Sequence, residues 1–323
     1  MQIWSSLGEV PADLGRTVVT VGNFDGVHRG HRLVIERARS LAERAGGQSV
    51  VAVTFDPHPM RVLLPERAPL RLTTIQQRCE LLLAAGVDHV LVLRFDREFA
   101  SWSPEQFVRS VLVGALAAQA VVVGENFRFG AKAAGTTATL AELGAAHDFQ
   151  THALALAGSA HPWSSSLVRQ ALAEGDVAEA SRVLGRDHAV RGLVVEGDKR
   201  GRALGFPTAN VPTDGVTAVP LDGVYAGWLR RLDEHPAVAL PAAISVGTNP
   251  TFDGVEHRVE SYVLDRTDLE LYGVTVEVSF VERLRGQERY ESVDELVAQM
   301  HLDVDKARTI LDAAVAPAPT AGD

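Results

Sequence analysis

The chain has 323 residues, 46% of them hydrophobic and 22% charged, with a formal net charge of −10. Its length suggests about two domains of roughly 150 residues each, and its composition is that of a globular chain rather than a disordered or fibrous one. The acidic balance excludes a broad basic face for nucleic acid or an anionic membrane, though not a local cationic pocket for a phosphorylated small molecule.

Cys79 is the single cysteine, so no intramolecular disulfide forms, which fits a reducing compartment. The opening MQIWSSLGEV lacks a basic segment followed by an apolar core, and no apolar run reaches about 18 residues. Neither a signal peptide nor a membrane span is expected, and a cytoplasmic location is.

The first half alternates strands and helices. Thr17–Gly22 (TVVTVG) reads as a buried strand; Val34, Ala38, Leu41 and Ala45 then recur at helical spacing until Gly46-Gly47. Ser49–Phe55 is a second strand. Thr74 and Gln77 form a capping box for a helix that Gly86 ends. His89–Phe95 is a third strand, Ser103-Pro104-Glu105-Gln106 starts another helix, and Ala120–Gly124 is a fourth strand. Such β-α units with continuous apolar strands predict a parallel sheet covered on both faces.

After a helical stretch over Ala171–Leu184 the pattern changes. Short β-like runs follow: RGLVVEG, GVYAGWLR, PAAISVG, HRVESYVLD and GVTVEVSFVERL. Their close spacing predicts an antiparallel barrel or sandwich, completed by one helix over Val293–Ala314. The domains are therefore expected at 1–184 and 185–315, with a disordered tail over 316–323 (APAPTAGD).

Two stretches carry chemistry. In GNFDGVHRGH, residues 22–31, glycines let the backbone turn and approach a ligand at the carboxyl end of a strand, where open α/β sheets bind ligands. The helix that follows offers free N–H groups to phosphate. Two imidazoles beside it can donate hydrogen bonds to phosphate oxygens and stabilise charge on an attacked α-phosphate. A zinc pair is disfavoured, since no third or fourth ligand lies at suitable spacing. In GDKRGRALGFPTANV, residues 197–211, loop N–H groups can cradle phosphate. Thr208 and Asn210 offer the hard oxygens that magnesium prefers. No Gly-Lys dipeptide exists, so this is not a Walker A loop.

The H-x-G-H arrangement resembles the signature of the nucleotidyltransferase superfamily. With TFDPHP (54–59), GENFRFG (124–130) and SSSLVR (164–169) it resembles the adenylyltransferase module of the bacterial bifunctional riboflavin kinase/FAD synthetase family. The second stretch resembles that family's flavokinase signature, with DGVYAGW (222–228), SVGTNPTFDG (245–254), VESYVLD (259–265) and LYG (271–273) following in order. The resemblance implies a Rossmann-like nucleotidyltransferase domain followed by a mainly-β flavokinase barrel with a terminal helix. It implies that ATP, as its magnesium complex, phosphorylates riboflavin to FMN and adenylylates FMN to FAD.

The resemblance also implies residue roles. His28 and His31 would bind the triphosphate and stabilise the transition state, with Gly22, Phe24, Asp25 and Gly30 of their loop at the nucleotide. Asn126, Ser165, Ser166 and Arg169 would hold phosphates. Thr208 and Asn210, with Gly201 and Gly205 in their loop, would bind Mg-ATP, and Glu260 would be the general base for the riboflavin hydroxyl. Ser166 stands where the family pattern carries threonine, and Trp163 where it carries a smaller aliphatic residue. Plainer readings stand beside these: Ser165 or Ser166 as a helix cap, Arg169 as a solvated helix residue, His58 as a turn residue, Asp25 as the group that orients its loop, and Cys79 as inert core. Two rival functions are a kinase whose N-terminal half is only a scaffold, and a non-catalytic flavin carrier. Retention of His28, His31 and Glu260 favours catalysis at both sites.

Overall fold

A computed structural model of the chain describes every residue except 156, 159–161, 198–200, 202–203, 252–253, 267 and 315–323, and omits the side chains of 249–251 and 254–256. The chain divides into two compact units: Met1–Pro69 with Thr73–Ser164, and Leu70–Leu72 with the chain from Ser165 onward.

The first unit runs β1 (Gln2–Trp4), β2 (Thr17–Val21), α1 (Arg29–Arg44), β3 (Ser49–Asp56), α2 (Pro59–Leu63), α3 (Ile75–Ala84), β4 (His89–Arg94), α4 (Pro104–Phe107), β5 (Ala118–Gly124), α5 (Thr137–Ala146) and β6 (Gln150–Leu154). Its strands form one sheet in the order β1-β4-β3-β2-β5-β6, every pair parallel. Alternate residues of each strand face opposite sides, so each side has its own core. Val18, Val50, Ala52, Val90 and Val122 pack on Ile35, Ala38 and Ala42 of α1 and on Leu82 of α3. Val19, Val51, Leu91 and Val121 pack on Phe107, Val111 and Leu112, which lie in α4 and the π-helix Val108–Ala115 that continues it. The expected sheet covered on both faces is observed.

Local signals act as expected. Thr74 and Gln77 close a reciprocal capping box, and Ser103 accepts from the Gln106 N–H with Pro104 in the first turn. The buried stripe of α1 is Ile35, Ala38 and Ala42 rather than the predicted Val34, Ala38, Leu41 and Ala45; Val34 and Leu41 flank it. Edge strands β1 and β6 were not predicted. One has three residues, and the other, QTHAL, mixes polar residues without an apolar run.

The second unit comprises α6 (Ser165–Glu174), α7 (Val177–Leu184), β7 (His188–Leu193), β8 (Ala209–Pro212), β9 (Gly223–Arg231), β10 (Ala239–Thr251), β11 (Gly254–Val263), β12 (Thr275–Arg285) and α8 (Val293–Ala313). The antiparallel sheet has the order β7-β12-β9-β10-β11-β8, and a bridge between Val195 and Asn210 brings its two edges together, so it is nearly closed as a barrel. Tyr225, Leu229, Ile244, Val246, Val259, Val278 and Phe280 are fully buried and fill one face. The other face carries Ala226, Trp228 and Ala243, which pack on Ala307 and Leu311 of α8.

The predicted helix over Ala171–Leu184 is two helices, broken at Gly175 (φ +78) with Asp176 capping the second. The expected domain boundary after residue 184 and the unit boundary after Ser164 differ by this helix pair. The reason is packing: α6 lies on α7, and α7 lies on β7 and β12. The predicted tail lies outside the described residues.

Candidate active sites

In the first sheet, the chain progresses outward from β2 through β3 to β4, then restarts on the other side of β2 with β5. The carboxyl ends of β2 and β5 flank this topological switch, where α/β sheets bind ligands. Gly22 and Gly124 sit at those ends, and a cavity of about 250 Å³ there is lined by Gly22, Phe24, His28, Gly30, His31 and Asn126. Six predicted residues from two distant motifs therefore meet.

His28 is the N-cap of α1 and His31 lies in its first turn. Their rings stack with centroids 3.6 Å apart and planes inclined by 23°, while Phe24 meets His31 edge-on at 5.1 Å. A β-carbon at position 30 would lie 3.1 Å from the His28 ring and 3.3 Å from the Trp163 carbonyl, so glycine there keeps the imidazole against the helix start. Burial, the adjacent His28 and the Arg78 guanidinium hold His31 well below the ordinary histidine value.

His31 is therefore neutral at neutral pH and donates through one ring nitrogen only. Its folded value lies below the unfolded one, so keeping the ring neutral costs no stability above about pH 6.5 and destabilises the folded unit increasingly as pH falls below it. Nitrogen-detected NMR is expected to show His31 still neutral where an exposed histidine is half protonated. Adding a nucleoside triphosphate is expected to raise its pKa, because anionic oxygens favour the imidazolium.

The remaining predicted residues of this half take different places. Asp25 does not line the cavity; it lies beneath it, 2% exposed, with its carboxylate on Thr73, in keeping with the loop-orienting reading. His58 caps α2, accepting from the Met60 N–H at 3.2 Å. Cys79 is buried core, its thiol pushed up to about 11 by burial. Trp163 lines the cavity and lies under the Arg29 guanidinium at 5.7 Å. Ser165 and Ser166 open α6, which belongs to the second unit, and Arg169 on that helix donates to the Leu70 carbonyl.

Sequence reasoning missed a second cavity in the first unit, of about 700 Å³. It shares Gly22 and Asn126 with the histidine cavity, and Phe55, Phe95, Phe99 and Trp102 are among the residues that line it. Phe99 lies 5.6 Å from Phe95 and 5.0 Å from Trp102, ring to ring. Such a lining suits a flat conjugated ring system next to a phosphate site. The available signal was aromatic residues at and after the carboxyl ends of β3, β4 and β5, of which Phe55, Phe127 and Phe129 lie inside the quoted motifs TFDPHP and GENFRFG.

In the second unit, register assembles the site. Asn210 on β8 pairs with Glu260 on β11, Glu260 with Ser245 on β10, Ser245 with Val224 on β9, and Val224 with Arg285 on β12. Cross-strand partners share a face, so one row of side chains looks toward α8. Glu260, Ser245 and Arg285 line a cavity of about 250 Å³ walled by Leu296, Met300 and Asp303 of that helix. Arg285 clamps the buried Asp303 through two nitrogens at 2.6 and 3.0 Å, and Gln299 donates to the same carboxylate at 2.9 Å, which fixes the wall to the sheet. Gln287 donates to Ser245 Oγ at 3.1 Å.

A neighbouring cavity is lined by Gly197, Asn210, Ser261, Arg266 and Tyr272, and Thr208 lines both. Gly201 lines the Glu260 cavity, where a β-carbon would come within 2.5 Å of the Phe206 carbonyl. Gly205 (φ +88) makes the turn before Phe206 and lines neither. Two compartments meeting at Thr208, with Glu260 in one of them, are what group transfer between two bound molecules requires.

The FAD synthetase family model matches residues 10–166 and the riboflavin kinase family model matches residues 184–311. The chain is 38% identical over 292 residues to the bifunctional riboflavin kinase/FMN adenylyltransferase of Escherichia coli (strain K12), covering 90% of this chain and 91% of that one. It is 32% identical over 301 residues to the protein of the same name from Bacillus subtilis (strain 168), covering 92% and 93%. Among solved structures it is similar to one described as a macrolide-efflux protein from Streptococcus pneumoniae, with a TM-score of 0.83, 31% identity and coverage of 95% and 98%. Among the described residues, no helix is long and apolar enough to cross a membrane.

Proposed function

The chain belongs to the family of bifunctional riboflavin kinase/FMN adenylyltransferases, and from that premise we propose which of its residues perform each reaction. The protein is an enzyme of FAD biosynthesis. It phosphorylates riboflavin to FMN with ATP and adenylylates FMN to FAD with release of pyrophosphate. Both domains are present, which favours this reading over a kinase with a scaffold half and over a carrier.

In the kinase unit riboflavin occupies the Glu260 cavity and ATP the neighbouring one, with Thr208 at their junction. The single observation that carries this assignment is that Thr208 lines both cavities while Glu260 lines only one. Glu260 accepts the proton of the 5′-hydroxyl as its oxygen bonds to the γ-phosphorus and the bond to the β-phosphate oxygen breaks, releasing ADP.

A magnesium ion fits this site as a companion of ATP. Asn210 directs its amide nitrogen at the Thr208 carbonyl, 3.1 Å away, and at the Thr208 hydroxyl, so its Oδ1 and the hydroxyl are the hard donors. Among the described residues no cluster of three or more His, Cys, Asp or Glu could hold a metal by itself. Two oxygens completed by nucleotide phosphates are a usual magnesium arrangement. Thr208 and Asn210 would hold the ion, which would neutralise phosphate charge.

In the adenylyltransferase unit the aromatic cavity holds the isoalloxazine ring of FMN, with Asn126 toward its phosphate. His28 and His31 donate to the triphosphate as an FMN phosphate oxygen attacks the α-phosphorus and pyrophosphate departs. That nucleophile is already an anion, so no strong base is needed, and catalysis rests on positioning and charge stabilisation. Gly22, Phe24 and Gly30 shape the nucleotide side. Ser165, Ser166 and Arg169 are assigned to phosphate binding on the strength of their motif, Ser166 keeping the hydroxyl of the usual threonine. A cytoplasmic location is supported by the single cysteine, and a lack of affinity for nucleic acid by the net charge of −10.

Chromatography of products after incubation with riboflavin, ATP and magnesium tests the whole assignment. FMN followed by FAD is expected; FMN alone returns the scaffold reading. Trp102→Ala tests the aromatic cavity. It is expected to raise the KM for FMN in the adenylyl transfer about tenfold, within the roughly 1–3 kcal/mol of a lost aromatic stack, and to leave riboflavin phosphorylation unchanged.

A further inference from the structure

A buried ion pair lies beneath the histidine loop. Arg78 on α3 and Asp25 have side chains only 4% and 2% exposed, with a nitrogen–oxygen distance of 3.7 Å. Arg78 Nη1 donates to the Phe55 carbonyl at 3.1 Å and to the Thr54 hydroxyl at 3.3 Å. That hydroxyl donates to the Asn23 carbonyl at 3.0 Å. Asp25 Oδ1 accepts from the Thr73 N–H and hydroxyl, both at 3.1 Å, and the same hydroxyl accepts from the Gly26 N–H at 3.3 Å. One guanidinium is thus tied to the backbone on both sides of Phe24.

The turn it supports is strained. Phe24 (φ +49) and Val27 (φ +39) occupy the left-handed region, which a β-carbon disfavours, and Gly26 (φ +82) lies between them. Such residues persist only where the surroundings over-determine them, and they concentrate at functional sites. His28 follows Val27 directly. A buried cation serves packing poorly unless it is paired and hydrogen-bonded; here Asp25, Thr54 and the Phe55 carbonyl lead to this turn or to the end of β3 beside it.

We propose that Arg78 is a positioning residue for adenylyl transfer, acting through Asp25 and Thr54 to hold the strained Asn23–Val27 turn that sets His28 and His31 at the nucleotide cavity. The inference rests on the assignment of adenylyl transfer to this unit. Its charge has a second effect. The groups acting on His31 are His28, stacked on it, and Arg78 from α3, with Arg29 and Arg32 on either side of it in the first turn of its own helix; Arg78 and His28 both oppose a proton on His31.

The test measures kcat for FMN-to-FAD conversion, and the His31 pKa by nitrogen-detected NMR, for Arg78→Met, Arg78→Lys, Asp25→Asn and the Arg78→Met/Asp25→Asn double variant. The NMR spectrum and thermal melt report that the first unit is folded, and riboflavin phosphorylation reports on the second. Arg78→Met is expected to lower kcat at least tenfold and to raise the His31 pKa. Arg78→Lys keeps the His31 pKa in place, because the charge remains, but restores only part of kcat, because an ammonium lacks the planar fork. The double variant falls short of the product of the single effects, since both act through one network.

A loss of rate with an unmoved His31 pKa in Arg78→Met, additive effects, or parent-like kcat would each overturn the proposal. If the first unit of Arg78→Met does not fold, the Lys variant decides: reduced kcat with a parent-like His31 pKa supports it, and parent-like kcat overturns it. Absence of FAD from the parent chain would instead refute the assignment of the unit.

Discussion

Glu260→Gln is expected to lower riboflavin phosphorylation roughly 10²- to 10⁴-fold, the usual range for loss of a general base. Conversion of supplied FMN to FAD should proceed at the parent rate. The substitution keeps size and hydrogen bonding but removes the only function asked of the group, acceptance of the 5′-hydroxyl proton. Its surroundings tolerate an amide: Ser245 and Asn210, the register partners of Glu260 on the adjoining strands, are both polar. The neighbours Val259 and Ser261 face the barrel interior, fully buried, so the fold does not depend on the charge at position 260. The measurement is FMN formed from riboflavin, followed by chromatography. Loss of both activities in a folded variant would sink the separate assignment of the two sites.

His28→Ala combined with His31→Ala is expected to do the reverse, lowering FAD formation by at least about 10³-fold while FMN formation persists. Removal of a single preorganised donor to a developing negative charge costs about 10²- to 10³-fold, and here two are lost. The stacked arrangement, with centroids 3.6 Å apart, makes the effects non-additive, since each ring orients the other. Single variants should therefore each retain less than the square root of the activity left in the double one would suggest. A parent-like thermal melt and NMR spectrum of the first unit serve as the folding control, since FMN formation reports on the second unit. FAD formation at the parent rate would move the triphosphate away from this cavity.

Much of this was legible in order along the chain. The strands of the first half announce themselves as apolar runs because a parallel sheet buries both faces, and the helices through caps such as Thr74–Gln77 and Ser103–Pro104. The paired histidines point to phosphate chemistry because they stand between a strand end and a helix start, and the P-T-A-N motif does so through its resemblance to the flavokinase signature. What escaped was non-local. Ala209–Pro212 reads as the tail of a loop, yet it is a strand whose pairing with β11 puts Asn210 opposite Glu260. The aromatic cavity gathers side chains from the ends of three strands and the segments after them, and no window of sequence contains it. Arg78 reads as one polar residue in a helix of leucines; only packing makes it a buried ion-pair partner of a loop residue.

The sequence by itself determined the two-domain plan, the class of each domain and two loops suited to phosphate, because hydrophobic period, turn residues and spacing act over a few residues at a time; the flavin chemistry came through the resemblance of its motifs to a family. The tertiary structure alone decided which of those residues meet. It brought Asn126 to the histidine pair, set Thr208 between two cavities, buried Asp25 against Thr73 and kept His31 neutral. Pairing register and burial arise when distant segments close on one another, and proton affinity follows from the dielectric and the charges that closure supplies.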